Sequence, residues 1–87
     1  MDWTGLSKEQ IKLQLPLLII KGAKGFLACG YINCETCNKT GEACAIVTGV
    51  KTHDEMLHAE VKAVSTEAAR LGVRVGMKGK EVLKIFR

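Results

Sequence analysis

Cysteine is confined to one short stretch of this chain, and its spacing constrains how that stretch can fold. The cysteines are Cys29, Cys34, Cys37 and Cys44, in the pattern C-x4-C-x2-C-x6-C. Four thiolates suit a tetrahedral metal or a small iron–sulfur centre, and the first three repeat the spacing that opens plant-type [2Fe–2S] ferredoxins. The fourth cysteine of those ferredoxins lies much further downstream. If all four bind one centre, a strand end, a short helix and the next strand must meet.

Three interpretations of these cysteines stay open. The favoured one is metal ligation, because clustered cysteines in a cytosolic protein indicate metal or redox chemistry more often than a disulfide framework. Zinc sites usually have two C-x2-C pairs or histidine partners, and only one C-x2-C pair is present, which favours an iron–sulfur cluster over zinc. In the second interpretation the cysteines are small buried hydrophobic residues. In the third they carry thiol or disulfide chemistry, with the Cys34 thiolate stabilised by a helix dipole.

The short length of the chain predicts one domain over residues 1–87 and a thin stability margin. A chain of 87 residues buries only about 60–65% of the surface that its unfolded form exposes. Such domains commonly gain stability from an oligomer interface, a metal or disulfides. The apolar fraction of 47% is high for this size. We therefore expect a homo-oligomer in which another subunit covers part of the apolar surface.

Charge and hydropathy argue against nucleic-acid and membrane partners. The net charge is +4, and the lysines are scattered and not gathered into a stripe with aromatic residues, so nucleic-acid binding is not expected. Charged residues interrupt the N-terminal stretch before any signal-like apolar run. The apolar run at residues 17–20 is far too short to span a bilayer. These features predict a soluble, cytoplasmic protein.

Strand patterns dominate the first half of the chain and helix patterns the second, which predicts an α+β fold. Antiparallel N-terminal strands would pack with three to four short helices in one small domain. The N-terminal strands lie within residues 10–32, with a turn at 21–25. Helix starts are predicted from the caps Asn33, Thr52 and Ser65. The predicted strands are residues 10–15, 17–20, 26–32, 44–50 and 61–64, and the predicted helices are 34–40, one beginning after Thr52, 66–71 and 79–86.

The chain has two histidines that are candidate partners of the cysteines. His53 and His58 are five residues apart, which on a helix separates them too widely for the i, i+4 pair of a zinc helix. His53 could still act as a base or a metal ligand near the cysteines if the fold brings them together, and a thiol enzyme would pair it with Cys29 or Cys34. The pattern itself assigns no catalytic residue and leaves open whether the protein is an enzyme.

Between about residues 17 and 86 the chain resembles the YunC-like family (domain of unknown function 1805). The resemblance is carried by residues 24–31, 47–52, 63–65 and 75–83. It implies a small α+β domain whose N-terminal strands assemble an oligomer, a tetramer, with no established activity. Cys29 falls on the characteristic cysteine of the family, within its Cys-Gly pair. Cys34, Cys37 and Cys44 stand where the family typically has ordinary apolar or polar residues.

Taken together, the residues predict a cytoplasmic homo-oligomer that binds an iron–sulfur cluster, or alternatively zinc, through all four cysteines. Its role would be electron transfer, sensing or cluster handling, with a redox protein as partner. The alternatives are a non-catalytic oligomeric or regulatory module with metal-free buried cysteines, and a thiol-dependent enzyme.

Overall fold

The computed structural model describes residues 2–87, which form one mixed sheet with four short helices. The strands follow one another across the sheet in chain order, β1-β2-β3-β4-β5. Neighbours are antiparallel except β3 and β4, which run parallel. The strands are β1 (Ser7–Ile11), β2 (Leu17–Lys21), β3 (Phe26–Ala28), β4 (Cys44–Ile46) and β5 (Ala63–Val64). This arrangement confirms the predicted α+β class.

The helices begin and end where their capping residues predict. They are α1 (Cys34–Thr40), α2 (His53–His58), α3 (Thr66–Arg70) and α4 (Gly79–Phe86). The side chains of Asn33, Thr52 and Ser65 each accept a backbone N–H of the first turn that would otherwise lack a partner. Gly41 ends α1 in the left-handed conformation that glycine adopts without steric cost.

The sheet divides the interior into a main core and a smaller one. Alternate residues of a strand point to opposite faces, so Leu27 of β3 and Ala45 of β4 enter the main core with α2 and α4. Ala28 and Ile46 point the other way, into a small cluster closed by α1. We call the two sides of the sheet the main-core face and the α1 face.

The C-terminal helix is fastened to the main-core face by close backbone contacts. The Phe86 carbonyl accepts the Lys24 N–H at 2.8 Å, which joins the end of α4 to the β2–β3 turn. At the other end, a Cβ on Gly79 would collide with the carbonyl of Met56 in α2. Only glycine therefore permits this approach of α4 to α2.

The first strand differs most from the sequence prediction. A half-buried strand was expected at residues 10–15, but β1 spans Ser7–Ile11 and every residue in it is exposed. The alternating apolar side chains remain in solvent, with exposed fractions of 56% for Ile11, 51% for Leu13 and 60% for Leu15. Alternation indicates that one face of a strand should be covered, but not that the same subunit covers it.

The later strands are shorter than their apolar runs. The runs at residues 26–32 and 44–50 continue past the last residue that has a pairing partner, so β3 ends at Ala28 and β4 at Ile46. After β3 the chain turns at once, with the Ile32 N–H donating to the Cys29 carbonyl at 3.1 Å. Among residues 2–87, no helix is long and apolar enough to cross a membrane.

Candidate thiol site

Three of the four cysteines meet on the α1 face. The Cys44 sulfur lies 2.6 Å from the Cys37 sulfur and 3.8 Å from the Cys34 sulfur. Cys44 and Cys37 are buried, with exposed fractions of 0% and 4%, whereas Cys34 is partly exposed. All are free thiols, because even the shorter distance exceeds a disulfide bond of about 2.05 Å. We call these three side chains the thiol cluster.

Local structure places each member of the thiol cluster. Cys34 and Cys37 stand at i and i+3 of α1 and therefore share one side of the helix. The start of α1 is fixed by the Asn33 side chain, which accepts the Glu35 N–H at 2.6 Å. Cys44 opens β4, and its position in the strand points it to the α1 face with Ile46. The tight turn after α1 then returns the chain to β4 beneath the helix.

Ser65 holds the backbone of Cys44 in place. Its hydroxyl is fully buried and accepts the Cys44 N–H at 2.9 Å while donating to the Glu42 carbonyl at 2.8 Å. It also accepts the Ala68 N–H at 3.3 Å as the cap of α3. One donor and two accepted bonds use the full capacity of a hydroxyl. The sequence predicted only the cap, because the bonds to residues 42 and 44 depend on how β4 and β5 pair.

The surroundings of the thiol cluster favour protonated sulfur. Burial raises the pKa of the Cys44 thiol above its usual range, and the neighbouring Cys37 and Cys34 act in the same direction. Burial also raises the pKa of Cys34, and its hydrogen bond to Cys44 opposes this only in part. The stabilised thiolate expected for Cys34 is therefore not the net result. A bound cation would reverse the balance, since a coordinating thiol loses its proton.

Cys29 lies on the other side of the sheet. It belongs to the main core, where the Leu18 N–H donates to its sulfur at 3.3 Å and the Pro16 carbonyl lies 3.8 Å from the same sulfur. The strand position of Cys29 matches that of Leu27, so it points away from Cys44. The predicted centre with all four cysteines does not form within one subunit, because the sheet separates Cys29 from the other three.

The geometry of the thiol cluster is tighter than that of a filled metal site. Thiolates on a tetrahedral zinc ion with bonds of about 2.3 Å lie about 3.8 Å apart. The Cys34–Cys44 separation equals this value, but the Cys37–Cys44 separation of 2.6 Å is too short. Accordingly, residues 2–87 contain no set of three or more His, Cys, Asp or Glu side chains already arranged to hold a metal ion.

A separate cavity of about 270 Å³ lies at Cys29. Its lining also includes Leu15, Pro16, Tyr31 and Thr48. The Tyr31 hydroxyl accepts the Leu15 N–H at 3.3 Å, which ties the segment before β2 to the cavity. This cavity has no contact with the thiol cluster, which faces the other side of the sheet.

His53 is not paired with the thiol cluster. It begins α2 on the main-core side, and its Nε2 lies 2.9 Å from the Glu9 carbonyl. The buried residues of α2, Met56 and Leu57, enter the main core. Of the two pairings predicted for a thiol enzyme, Cys29 or Cys34 with His53, the one with Cys34 is therefore not formed.

Fold and sequence define a small α+β domain of a class whose activity is not established. Residues 28–85 match the sequence profile described as "Domain of unknown function (DUF1805)", and the chain belongs to this family. It is 30% identical over 80 residues to the uncharacterized protein YunC of Bacillus subtilis (strain 168), covering 84% of this chain and 79% of that protein. The predicted family is confirmed.

A solved structure agrees with the fold. The chain is similar to the crystal structure of a protein of unknown function, TA1206, from Thermoplasma acidophilum. The TM-score is 0.83 at 36% identity, and the match covers 94% of this chain and 93% of that one. The likeness therefore extends over nearly the whole domain.

Proposed function

We propose that the protein binds a thiophilic metal centre through Cys34, Cys37 and Cys44 and acts in the handling or sensing of that metal. The observation that carries this proposal is the meeting of three sulfurs around Cys44, at 2.6 and 3.8 Å. The first assignment of the centre is an iron–sulfur cluster, and zinc is the alternative, since both take thiolate ligands. Cys29 is left out of the ligand set.

Three thiolates leave one coordination position to another ligand. Structural zinc sites are closed by four protein ligands, whereas sites that exchange their ligands keep a position open. Cys34 is partly exposed at the first turn of α1, so the open position would face solvent. This arrangement favours transfer or sensing over a purely structural role.

Binding requires one small rearrangement. The Cys37 and Cys44 sulfurs must separate from 2.6 Å to about 3.8 Å. Rotation of either side chain about its Cα–Cβ bond supplies a movement of this size. The metal would displace the three thiol protons into solvent, so binding releases protons and stabilises the fold.

The test is anaerobic purification with quantification of iron, sulfide and zinc per subunit. An iron–sulfur cluster gives a brown protein with absorbance near 400 nm, and zinc gives a colourless one. Cys34→Ser and Cys37→Ser should each lose metal and melt at lower temperature. Cys29→Ser is the matched control, because it removes a thiol on the opposite face and should retain the metal. A metal-free wild type, or equal loss in Cys29→Ser, refutes the proposal.

We further propose that the protein is a homo-oligomer assembled through the strands within residues 10–32. Support comes from β1, which is exposed on both faces, and from the apolar side chains Ile11, Leu13 and Leu15 in solvent beside it. The resemblance to the family suggests a tetramer. Light scattering on Leu13→Lys should show smaller particles than wild type. Val75→Lys is the control, because Val75 is an apolar residue that is also exposed, at 61%, and lies outside these strands. An unchanged mass for Leu13→Lys contradicts the proposal.

A further inference from the structure

We infer that Cys37 and Cys44 form an intramolecular disulfide on oxidation, with the partly exposed Cys34 as the thiol that first meets the oxidant. The consequence, release of the bound metal, rests on the proposed function. Formation of the disulfide does not, because it depends only on the positions of the three sulfurs. The oxidant belongs to the class of low-molecular-weight disulfides, for which glutathione disulfide is the probe.

The first argument is that the two buried sulfurs are already adjacent. Their separation of 2.6 Å needs to shorten by only about 0.6 Å to reach the length of a disulfide bond. Both backbones are held: the Cys37 carbonyl accepts the Glu42 N–H at 2.9 Å, and the Cys44 N–H is bound to Ser65 at 2.9 Å. The fold therefore presents this pair and not a mixture of pairs.

The second argument is the accessibility of the three sulfurs. Cys37 and Cys44 are exposed by only 4% and 0%, which slows direct attack of a bulky disulfide on either sulfur. Cys34 is partly exposed, and its sulfur lies 3.8 Å from that of Cys44. A surface cavity of about 330 Å³ reaches Cys37 between Asn33 and Thr40, which leaves room for the side chains to shift during exchange.

The exchange balances in three thiol–disulfide steps. The Cys34 thiolate attacks glutathione disulfide, forms a mixed disulfide and releases one glutathione thiolate. The Cys44 thiolate then attacks the Cys34 sulfur and releases the second glutathione. Finally the Cys37 thiolate attacks the Cys44 sulfur, and Cys34 leaves as a thiolate. Two cysteines are oxidised, one glutathione disulfide is reduced to two glutathione molecules, and the two thiol protons end on those leaving groups.

Mapping the disulfide by mass spectrometry tests the inference. Cleavage after Lys39 puts Cys37 and Cys44 in different peptides, so a bond between them appears as a cross-link. Trypsin cleaves after Lys24, Lys39 and Lys51, so Cys44 lies in residues 40–51 and the other three cysteines in residues 25–39. Reduced, chelator-treated protein is titrated with glutathione disulfide, quenched with acid and alkylated. We expect loss of two hydrogen atoms per subunit, a cross-link between the two peptides, and fragment ions that place it on Cys37.

Single variants separate the roles. Cys34→Ser should give the same Cys37–Cys44 disulfide at least tenfold more slowly, because the entry thiol is missing. Cys37→Ser should stop at a Cys34–Cys44 disulfide. Cys29→Ser should match wild type in rate and product. A stable glutathione adduct on wild-type Cys34, a bond that contains Cys29, or no reaction of the native protein would each overturn the inference.

The metal measurements and the disulfide mapping can refute the proposed function and this inference separately. A protein that never binds metal but forms the disulfide leaves the inference standing and removes only the release step. A protein that binds metal through the thiol cluster but does not form the Cys37–Cys44 disulfide leaves the proposed function standing and overturns the inference. If the protein binds metal and also forms the Cys37–Cys44 disulfide, one molar equivalent of glutathione disulfide should displace the metal. A colorimetric chelator measures the metal released.

Discussion

Replacing Ser65 by alanine tests how the fold holds Cys44. The substitution removes three hydrogen bonds from a fully buried site, to the backbones of Glu42, Cys44 and Ala68. Loss of the helix cap costs about 1 kcal/mol. The Cys44 N–H is left buried without a partner, which costs about 1–3 kcal/mol more. We therefore expect the free energy of unfolding to fall by about 2–4 kcal/mol.

The matched control is Thr52→Ala at the start of α2. Thr52 also caps a helix, accepting the Glu55 N–H at 3.1 Å, but it is exposed. Water replaces the lost bond there, so the cost should stay near about 1 kcal/mol. Urea denaturation of both variants, metal-free and reduced, gives the two free energies directly. In a domain of this size the Ser65 variant should also melt roughly 10–30 °C lower.

Comparing Ser65→Ala with Thr52→Ala tests whether the buried Ser65 hydroxyl stabilises the fold as described. If Ser65→Ala is destabilised no more than Thr52→Ala, to within about 0.5 kcal/mol, the buried hydroxyl does not hold β4 and α3 together. The Cys44 thiol adds a second measurement, since its alkylation in native Ser65→Ala should be faster than in wild type. Unchanged alkylation with a large loss of stability would show that the effect lies in α3 alone.

Two further outcomes follow from the packing and the pKa values. Gly79→Ala should prevent stable folding, because the added Cβ would collide with the Met56 carbonyl. Gly30→Ala is the control and should melt close to wild type, because its added Cβ would lie 3.6 Å from Thr48 Cγ2. Equal melting temperatures of the two variants would contradict this. Because the raised pKa of Cys44 keeps its proton in the folded state, this thiol should lower the stability of reduced, metal-free protein above about pH 8.5, by at most about 1.4 kcal/mol per pH unit. The raised pKa of Cys34 acts in the same direction. Denaturant titrations should show a smaller decline in Cys44→Ala, and an equal decline would refute the assignment to Cys44.

The sequence predicted helix ends better than strand ends. The bounds of α1 follow from Asn33 and Gly41, whose side chain and backbone act within one turn, and those of α4 were also predicted from local signals. Strand ends depend on where a distant partner stops. The apolar run after Ala28 therefore predicted a longer β3 than the pairing with β4 permits.

The thiol cluster was predicted in part, for a similar reason. The i, i+3 spacing placed Cys34 and Cys37 together without tertiary information. Alternation along the predicted strand at residues 26–32 also puts Cys29 on the face of Leu27, opposite Ala28. What the sequence lacked was the parallel register of Phe26 with Cys44, which fixes the face that Cys44 shares. The exclusion of Cys29 could be seen only once that register was known.

The small amount of surface that α1 buries has a consequence for its motions. Cys37 is the only buried residue of α1. Apart from the thiol contacts, α1 is joined to α3 by a hydrogen bond in which the Asn38 side chain accepts the Thr66 N–H at 2.8 Å. Segments with so few buried contacts open at free energies well below that of global unfolding. Amide hydrogens of α1 should therefore exchange with deuterium long before those of β2 or α4, and a bound metal or a disulfide should slow that exchange in α1 alone.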